Sequence, residues 1–345
     1  MFATCLPGLA TLVSGQLNEL PGIRTTGTGF DGRADLVLFE AGRGHRGAAL
    51  TLRTTEDVFV ETGRFTETGR SAAAQGSDSR QIAARIWQPA GVQRALSVWA
   101  GEVRPLTASM SFRVIARVLS EQAFLRTELR TQVSQAVGQD RPRWNHADPA
   151  QLEVWVLEYQ AGRFVAGLRL TDSRMRQHGG CQLERRGALR PALAAAMVSL
   201  AGQPGGVLLD PCCGAGTILA EAIAAGWSAS GCDNDQAAVQ IARRNVPAAA
   251  VEAGDALALA RPDGSAGCCV SNLPFGRQFP VPGDMSRWLR RLLAETARVT
   301  RPGGRVVLLT PRIPAAAVPA ALRPAGTFPV TLLGTRTTIW AYQRL

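Results

Sequence analysis

The chain has 345 residues, 46% apolar and 19% charged, with a formal net charge of +11; it is long for one domain, comfortable for two or three, and apolar enough to bury sizeable cores. No stretch approaches the length of an apolar membrane span, and residues 1–8 lack the basic start and apolar core of a signal peptide, so a cytoplasmic protein without a membrane partner is expected. All 38 basic residues are Arg, and the excess over acids is spread over both halves (+4 in residues 1–180, +7 in 181–345), a balance that favours a polyanionic partner, with guanidinium forks suited to phosphate.

In chain order, residues 34–39, 111–118 and 152–159 are strand-like. The second and third alternate apolar and polar residues, as half-buried antiparallel strands do. Residues 128–137 form a helix between them, followed by a polar loop over 138–149, and residues 172–188 read as an interdomain linker. This first half is α+β material, one or two small modules. The remainder alternates strand and helix: strand 206–210, a glycine turn, helix 218–225, strand Ser228–Asp233, helix Gln236–Asn245, a short third strand before Gly254, strand 266–271, an amphipathic helix 287–300, a stop at 301–304, strand 305–310 and a terminal hairpin over 330–342. Such alternation predicts an open, mostly parallel sheet.

The turn DPCCGAGT at 210–217 lies between a strand and a helix, where glycine lets the backbone approach a ligand and helix amides face a negative group. A dinucleotide site would want a third glycine three residues after Gly216; that position is Leu219. Asp233, at the end of the next strand, is placed to accept from both ribose hydroxyls. Asp255 is placed to accept from an adenine amino group, with the Ala256 amide donating to a ring nitrogen. Adenosine without pyrophosphate, plus an amino-acid carboxylate, describes S-adenosylmethionine.

The segment NLPFG at 272–276 begins where the fourth strand ends, the place for substrate chemistry in an open parallel sheet. An exocyclic base amine is a poor nucleophile because its lone pair is delocalised. Two acceptors, the Asn272 side-chain oxygen and the Leu273 carbonyl, can hold its hydrogens and turn the lone pair outward. Pro274 stiffens the loop, and Phe275 offers a flat face for a base. The Cys212–Cys213 and Cys268–Cys269 pairs invite a covalent mechanism, but the first sits in the cofactor turn and the second inside a strand, where Cys is usually a small buried apolar residue. Seven Cys without a C-x-x-C pair, and three scattered His, imply reduced thiols and no metal site.

These residues together resemble the N-methyltransferases with an Asn/Asp-Pro-Pro-aromatic motif and, among them, the THUMP-domain tRNA guanine-N2 methyltransferases. Residues 4–9 are similar to that family's N-terminal ferredoxin-like segment, 111–172 to its THUMP domain, and 189–194 to the helix lining the cofactor's methionine end. The resemblance implies a C-terminal Rossmann-fold class I methyltransferase (mostly parallel sheet, terminal antiparallel hairpin) at 189–345. It places a ferredoxin-like segment at 1–60, THUMP at 61–175 and a linker at 176–188. It implies that Asp210, Cys212, Gly214, Gly216, Thr217, Asp233, Asp255 and Ala256 surround S-adenosylmethionine, and that Asn272, Leu273, Pro274 and Phe275 hold the flipped base. The THUMP module would bind the acceptor end of tRNA. Leu273 departs from the commoner first Pro of the motif.

Arg126, Arg130, Arg141, Arg143 and Arg185 are candidate RNA contacts, as are Arg113, Arg117 and Arg186, and Trp144 is either a stacking platform or a loop anchor. The expected protein is therefore a monomeric, metal-free RNA methyltransferase acting on a base amine, guanine N2 in tRNA. The alternatives are the same chemistry on rRNA, DNA or a protein glutamine, or a non-catalytic RNA-binding protein.

Overall fold

In the first half, apolar strands alternate with short amphipathic helices to build one curled sheet. The computed structural model describes residues 1–67, 78–178, 183, 188–274, 284–332 and 334–345. They fall into two units, Met1–Ser173 and Arg174–Leu345. The expectations for Phe275, Arg185 and Arg186 lie outside the described residues.

The first unit holds β1 (Phe2–Cys5), α1 (Ala10–Glu19), β2 (Ile23–Phe30), β3 (Asp35–Ala41), α2 (Arg46–Leu50), β4 (Asp57–Thr66), α3 (Ser79–Ile86), α4 (Pro89–Glu102), β5 (Ser111–Arg117), α5 (Arg126–Asp140), β6 (Asn145–His146), β7 (Leu152–Gln160) and β8 (Arg163–Arg169). Its sheet runs β2-β3-β1-β4-β8-β7-β5-β6, and residue 60, the expected end of the ferredoxin-like segment, falls within β4. The sheet curls until β2 reaches β7: a Cβ on Gly29 would collide with Tyr159, and Gln160 Nε2 donates to the Thr28 carbonyl at 3.2 Å. The curl encloses Phe2, Leu38, Phe59, Trp155 and Val165, with Phe2 stacked on Phe59 at 4.6 Å between centroids. Buried Glu158 accepts from the Leu119, Ser120 and Gly162 amides (2.7–2.9 Å), tying the loop after β5 to the β7–β8 turn.

The expected antiparallel geometry of 111–118 and 152–159 is corrected. β5 and β7 pair in parallel, from Phe112↔Leu152 to Arg117↔Leu157, because α5 supplies the crossover between them. β5 alternates in burial as expected, whereas β7 is buried along almost its whole length. The loop expected over 138–149 is shorter than the sequence suggests: α5 continues to Asp140, and Asn145–His146 add a strand beside β5.

After α6 (Ser173–Gln177), the second unit contains α7 (Pro191–Leu200), β9 (Val207–Asp210), α8 (Thr217–Ala224), β10 (Ser228–Asp233), α9 (Gln236–Asn245), β11 (Ala250–Ala253), β12 (Ala266–Asn272), α10 (Met285–Val299), β13 (Thr300–Thr310), a 3-10 turn at Ala315–Ala317, β14 (Leu322–Leu332) and β15 (Thr335–Arg344). The sheet order is β11-β10-β9-β12-β13-β15-β14. β9 to β13 are parallel and β15 is antiparallel to both its neighbours, which is the open sheet with a terminal hairpin that the sequence predicts. The strand order reverses between β9 and β12, so their carboxyl ends open a crevice at one rim. Leu209, Leu292, Leu293, Val306, Leu308 and Tyr342 fill the core under α10.

Two boundaries differ from expectation. The stop expected at 301–304 lies inside β13, because Gly303 takes φ +77° and Gly304 passes so close to the Gly267 carbonyl that a Cβ would clash. The hairpin begins at Leu322, since Pro324 and Pro329 occupy an edge strand, where a missing N–H is tolerated. Among the described residues no helix is long and apolar enough to cross a membrane.

Candidate active site

β9 delivers Asp210 to the crevice, 1% exposed. Its carboxylate accepts from Ser271 Oγ at 2.6 Å and from the Cys212 amide at 3.1 Å. Burial, partly offset by those two hydrogen bonds, pushes its pKa up to about 7. The following turn is closed by the Gly216 amide on the Cys213 carbonyl (2.8 Å) and crosses to β10 through the Cys213 amide on the Cys232 carbonyl (2.9 Å). Gly216 must be glycine: it sits at φ +89°, and a Cβ would come within 3.1 Å of Val246 Cγ2. Gly214, at φ +52°, has open space where a Cβ would be, so the turn is free to receive a ligand. Thr217 is buried as the first residue of α8.

Asp233 ends β10 and holds the turn in place, accepting from the Gly214 amide at 2.8 Å and the Asp235 amide at 3.0 Å. The Asp233 carbonyl takes the Gly254 amide at 3.0 Å, which brings the loop after β11 alongside. There Asp255 is exposed and caps its own turn through the Leu257 amide at 2.9 Å, with Ala256 buried beneath. The structure thus gathers Asp210, Cys212, Gly214, Gly216, Thr217, Asp233, Asp255 and Ala256 along one rim of one sheet. A cradle lined by carboxylates, one of them buried without an ion pair among the described residues, fits the cationic S-adenosylmethionine.

β12 lies beside β9 and ends at Asn272. The Asn272 side-chain oxygen is buried and has no hydrogen-bond partner among the described residues. Such an atom costs stability unless something else satisfies it, so it is an acceptor waiting for a donor. Leu273 is 2% exposed, and its amide donates to the Leu309 carbonyl at 3.1 Å, extending the β12–β13 ladder by one bond. This gives a reason for Leu where the resembled motif has Pro, because proline cannot donate. Leu273→Pro is expected to lower the stability of the cofactor-free chain by about 2–3 kcal/mol, from the lost bond and lost burial. Urea unfolding checks this; an unchanged midpoint would refute it.

A covalent mechanism finds no support. Burial pushes the Cys212, Cys213 and Cys268 thiols far up, Cys232 to about 11 and Cys269 to about 12, so none offers a thiolate near neutral pH. Sequence reasoning missed Ser271, fully buried against Asp210, and Asn245, whose Nδ2 holds the Ala215 carbonyl at 2.9 Å. It also missed the buried pair of His178 and Glu221 on α8, 2.9 Å apart. A polar residue just before Asn272 was the one available signal for Ser271.

The basic candidates separate. Arg126, Arg130 and Arg143 are exposed without ion pairs among the described residues. Arg141 pairs with Asp140 at 3.2 Å and lies over Trp144. Arg113 is committed to Glu153 and Asp148, and Arg117 to buried Asp31 at 2.6 Å with its guanidinium over Trp155, so neither is available as a phosphate contact. Trp144 packs toward Phe112, 6.5 Å between centroids, and anchors its loop.

Residues 181–323 match the family UPF0020, described as the RMKL-like methyltransferase domain. The bovine U6 snRNA (guanine-N(2))-methyltransferase THUMPD2 is 37% identical over 131 residues, 35% of this chain and 25% of that protein. An uncharacterized 37.1 kDa protein in transposon TN4556 of Streptomyces fradiae is 36% identical over 136 residues, 38% of this chain and 37% of that protein. The matched segments thus span well under half the length of these relatives. Among solved structures, TrmN from Thermus thermophilus superposes with a TM-score of 0.74 at 24% identity, covering 100% of this chain and 99% of that one. A predicted N6-adenine-specific DNA methylase from Listeria monocytogenes gives 0.67 at 15% identity, covering 100% and 96%. Both show the fold.

Proposed function

We propose that this chain, whose residues 181–323 match the UPF0020 methyltransferase domain, is an S-adenosylmethionine-dependent RNA methyltransferase that modifies an exocyclic base amine, guanine N2, with tRNA as its substrate. The observation that carries this reading is the buried, unpartnered Asn272 oxygen at the end of β12, one residue from the serine that holds Asp210. When bound, the cofactor supplies a methyl carbon activated by a sulfonium. The chain's own residues do the rest. Asp210 and Asp233 shape the turn and offer negative charge to the cation, and Asp255 with Ala256 receives the adenine. Asn272 Oδ1 accepts one amine hydrogen and orients the lone pair; the Leu273 carbonyl accepts the other, and Pro274 keeps both aimed. Phe275, outside the described residues, is the motif's candidate for stacking on the flipped base. Guanine N2 is supported by the activity named for the THUMPD2 relatives, and RNA by the basic charge of the chain.

In this reading residues 61–175 are a THUMP-type RNA-binding module, with exposed Arg126, Arg130 and Arg143, together with Arg141, as its phosphate contacts, and Arg185 in the linker as a further one. The test is incubation of the purified chain with labelled S-adenosylmethionine and, separately, total tRNA, total rRNA, duplex DNA and a protein fraction, followed by mass spectrometry of hydrolysates. N2-methylguanosine in the tRNA arm is expected. Label on glutamine, or on adenine N6, overturns the assignment of the acceptor; cofactor binding without transfer to any arm overturns the enzymatic reading.

A further inference from the structure

The rim that carries Asn272 is divided by charge. Its cofactor side, at the ends of β9, β10 and β11, bears Asp210, Asp233, Asp235 and Asp255. Its other side is basic. α10 connects parallel strands β12 and β13, so it runs against them and begins at the Asn272 end. Its first two turns expose Arg287, Arg290 and Arg291. Arg312 follows the end of β13 by two residues and is exposed, and Arg336 lies at the hairpin tip beyond Thr338, the partner of Thr310. None of these five has an ion pair or side-chain hydrogen bond among the described residues. At the opposite rim, by contrast, Arg298 is held by Glu295 and Asp263 (2.7 and 2.6 Å), Arg323 by Gln343 (2.6 Å) and Arg344 by the Ala297 carbonyl (2.8 Å). Arg301 is exposed there as well, but the rim that carries Asn272 gathers five guanidinium groups with no partner among the described residues.

We propose that Arg287, Arg290 and Arg291, flanked by Arg312 and Arg336, form a phosphate track on the methyltransferase unit that takes the RNA strand carrying the target base. This rests on the RNA reading above and adds to it a second, cationic phosphate-contacting surface outside the THUMP-type module. Arg287 and Arg291 stand one turn apart, about 6 Å along the helix, with Arg290 beside them, close enough to engage neighbouring phosphates. Contacts of this kind set register and orientation rather than sequence. The track grips the backbone next to the base that swings toward Asn272. The acidic half of the rim repels the same backbone and leaves the cofactor's side clear.

The test uses the full chain and total tRNA, with binding measured by fluorescence anisotropy across a salt series. The triple variant Arg287→Ser, Arg290→Ser, Arg291→Ser is expected to bind tenfold or more weaker near physiological salt. Its log–log salt slope should be shallower by about two to three, close to one unit per lost phosphate contact. Its S-adenosylmethionine affinity by calorimetry should be unchanged, which also shows that it is folded. Arg301→Ser with Arg323→Ser, both exposed at the opposite rim, removes two charges and is expected to stay within about twofold of wild type. A wild-type slope and affinity in the triple variant refutes the track. Equal loss in the control, or competition by polyglutamate as effective as by tRNA, refutes its specificity and with it the proposal. If wild type itself binds no tRNA, the RNA reading fails first and the track falls with it, a result distinguishable from the others.

Discussion

Asn272→Ala is expected to slow methyl transfer by about a hundred- to a thousandfold, the usual cost of removing an oriented polar partner of a transition state, while cofactor affinity changes no more than a few-fold. The separation follows from position. Asn272 stands at the end of β12, whereas the cofactor turn is built from β9, β10 and the loop after β11, and no described hydrogen bond joins the Asn272 side chain to that turn. Stability should move the other way. A buried oxygen without a partner costs about 1–3 kcal/mol, so removing it is expected to leave the cofactor-free chain as stable as wild type or slightly more so. A side chain kept for the fold would show the opposite pattern. Asn272→Asp, which retains an accepting oxygen, should keep more activity than the alanine variant. Single-turnover transfer to tRNA, cofactor calorimetry and urea unfolding on the same preparations decide the matter. Turnover within tenfold of wild type in Asn272→Ala would remove this residue from the chemistry.

The glycine turn and its neighbouring carboxylates were legible because their determinants are local. A glycine needed at φ +89° beside Val246, a carboxylate ending each of two consecutive strands and an apolar run before the first are all visible within short windows. Ser271 and Asn245 were not, because their roles depend on which strands and helices become neighbours. Ser271 meets Asp210 across 61 positions only because β12 inserts beside β9, and a sequence pattern does not state strand order. The first unit was less legible for a related reason. Alternation in 111–118 reports which face is buried, not which way the neighbouring strand runs, so the parallel β5–β7 pair was read as antiparallel. β2, with Thr and Gly at its centre, carries almost no strand signal of its own; it is held by β3 and by the close approach of Gly29 to Tyr159. The basic residues show the same limit. Arg117 and Arg126 look alike in sequence, yet one faces buried Asp31 and the other is exposed.

Asp210 gives the second large effect, and it depends on pH. Burial raises its pKa to about 7 in the cofactor-free chain, whereas an unfolded Asp titrates near ~4. The folded state therefore holds this proton more tightly than the unfolded state. The stability contributed by neutral Asp210 is fully present below about pH 4 and is lost as pH rises toward 7. The cationic cofactor has the opposite preference, since it binds the ionised carboxylate and repays part of its burial. Its affinity should rise roughly tenfold per pH unit below 7, then level off, with a proton released on binding in that range. Asp210→Asn should abolish both trends. It should flatten the affinity profile at about a hundredfold weaker binding, and it should remove the loss of cofactor-free stability between about pH 4 and 7, because the amide cannot ionise there. Calorimetry in two buffers of different ionisation enthalpy reads the proton directly. Cofactor affinity independent of pH between 5.5 and 8, or a pH profile that survives in Asp210→Asn, would show that the buried carboxylate does not face the cofactor's charge. A flat profile with a strong loss in the variant would instead mean that Asp210 serves through its hydrogen bonds to Ser271 and the Cys212 amide, holding β12 and the turn in register.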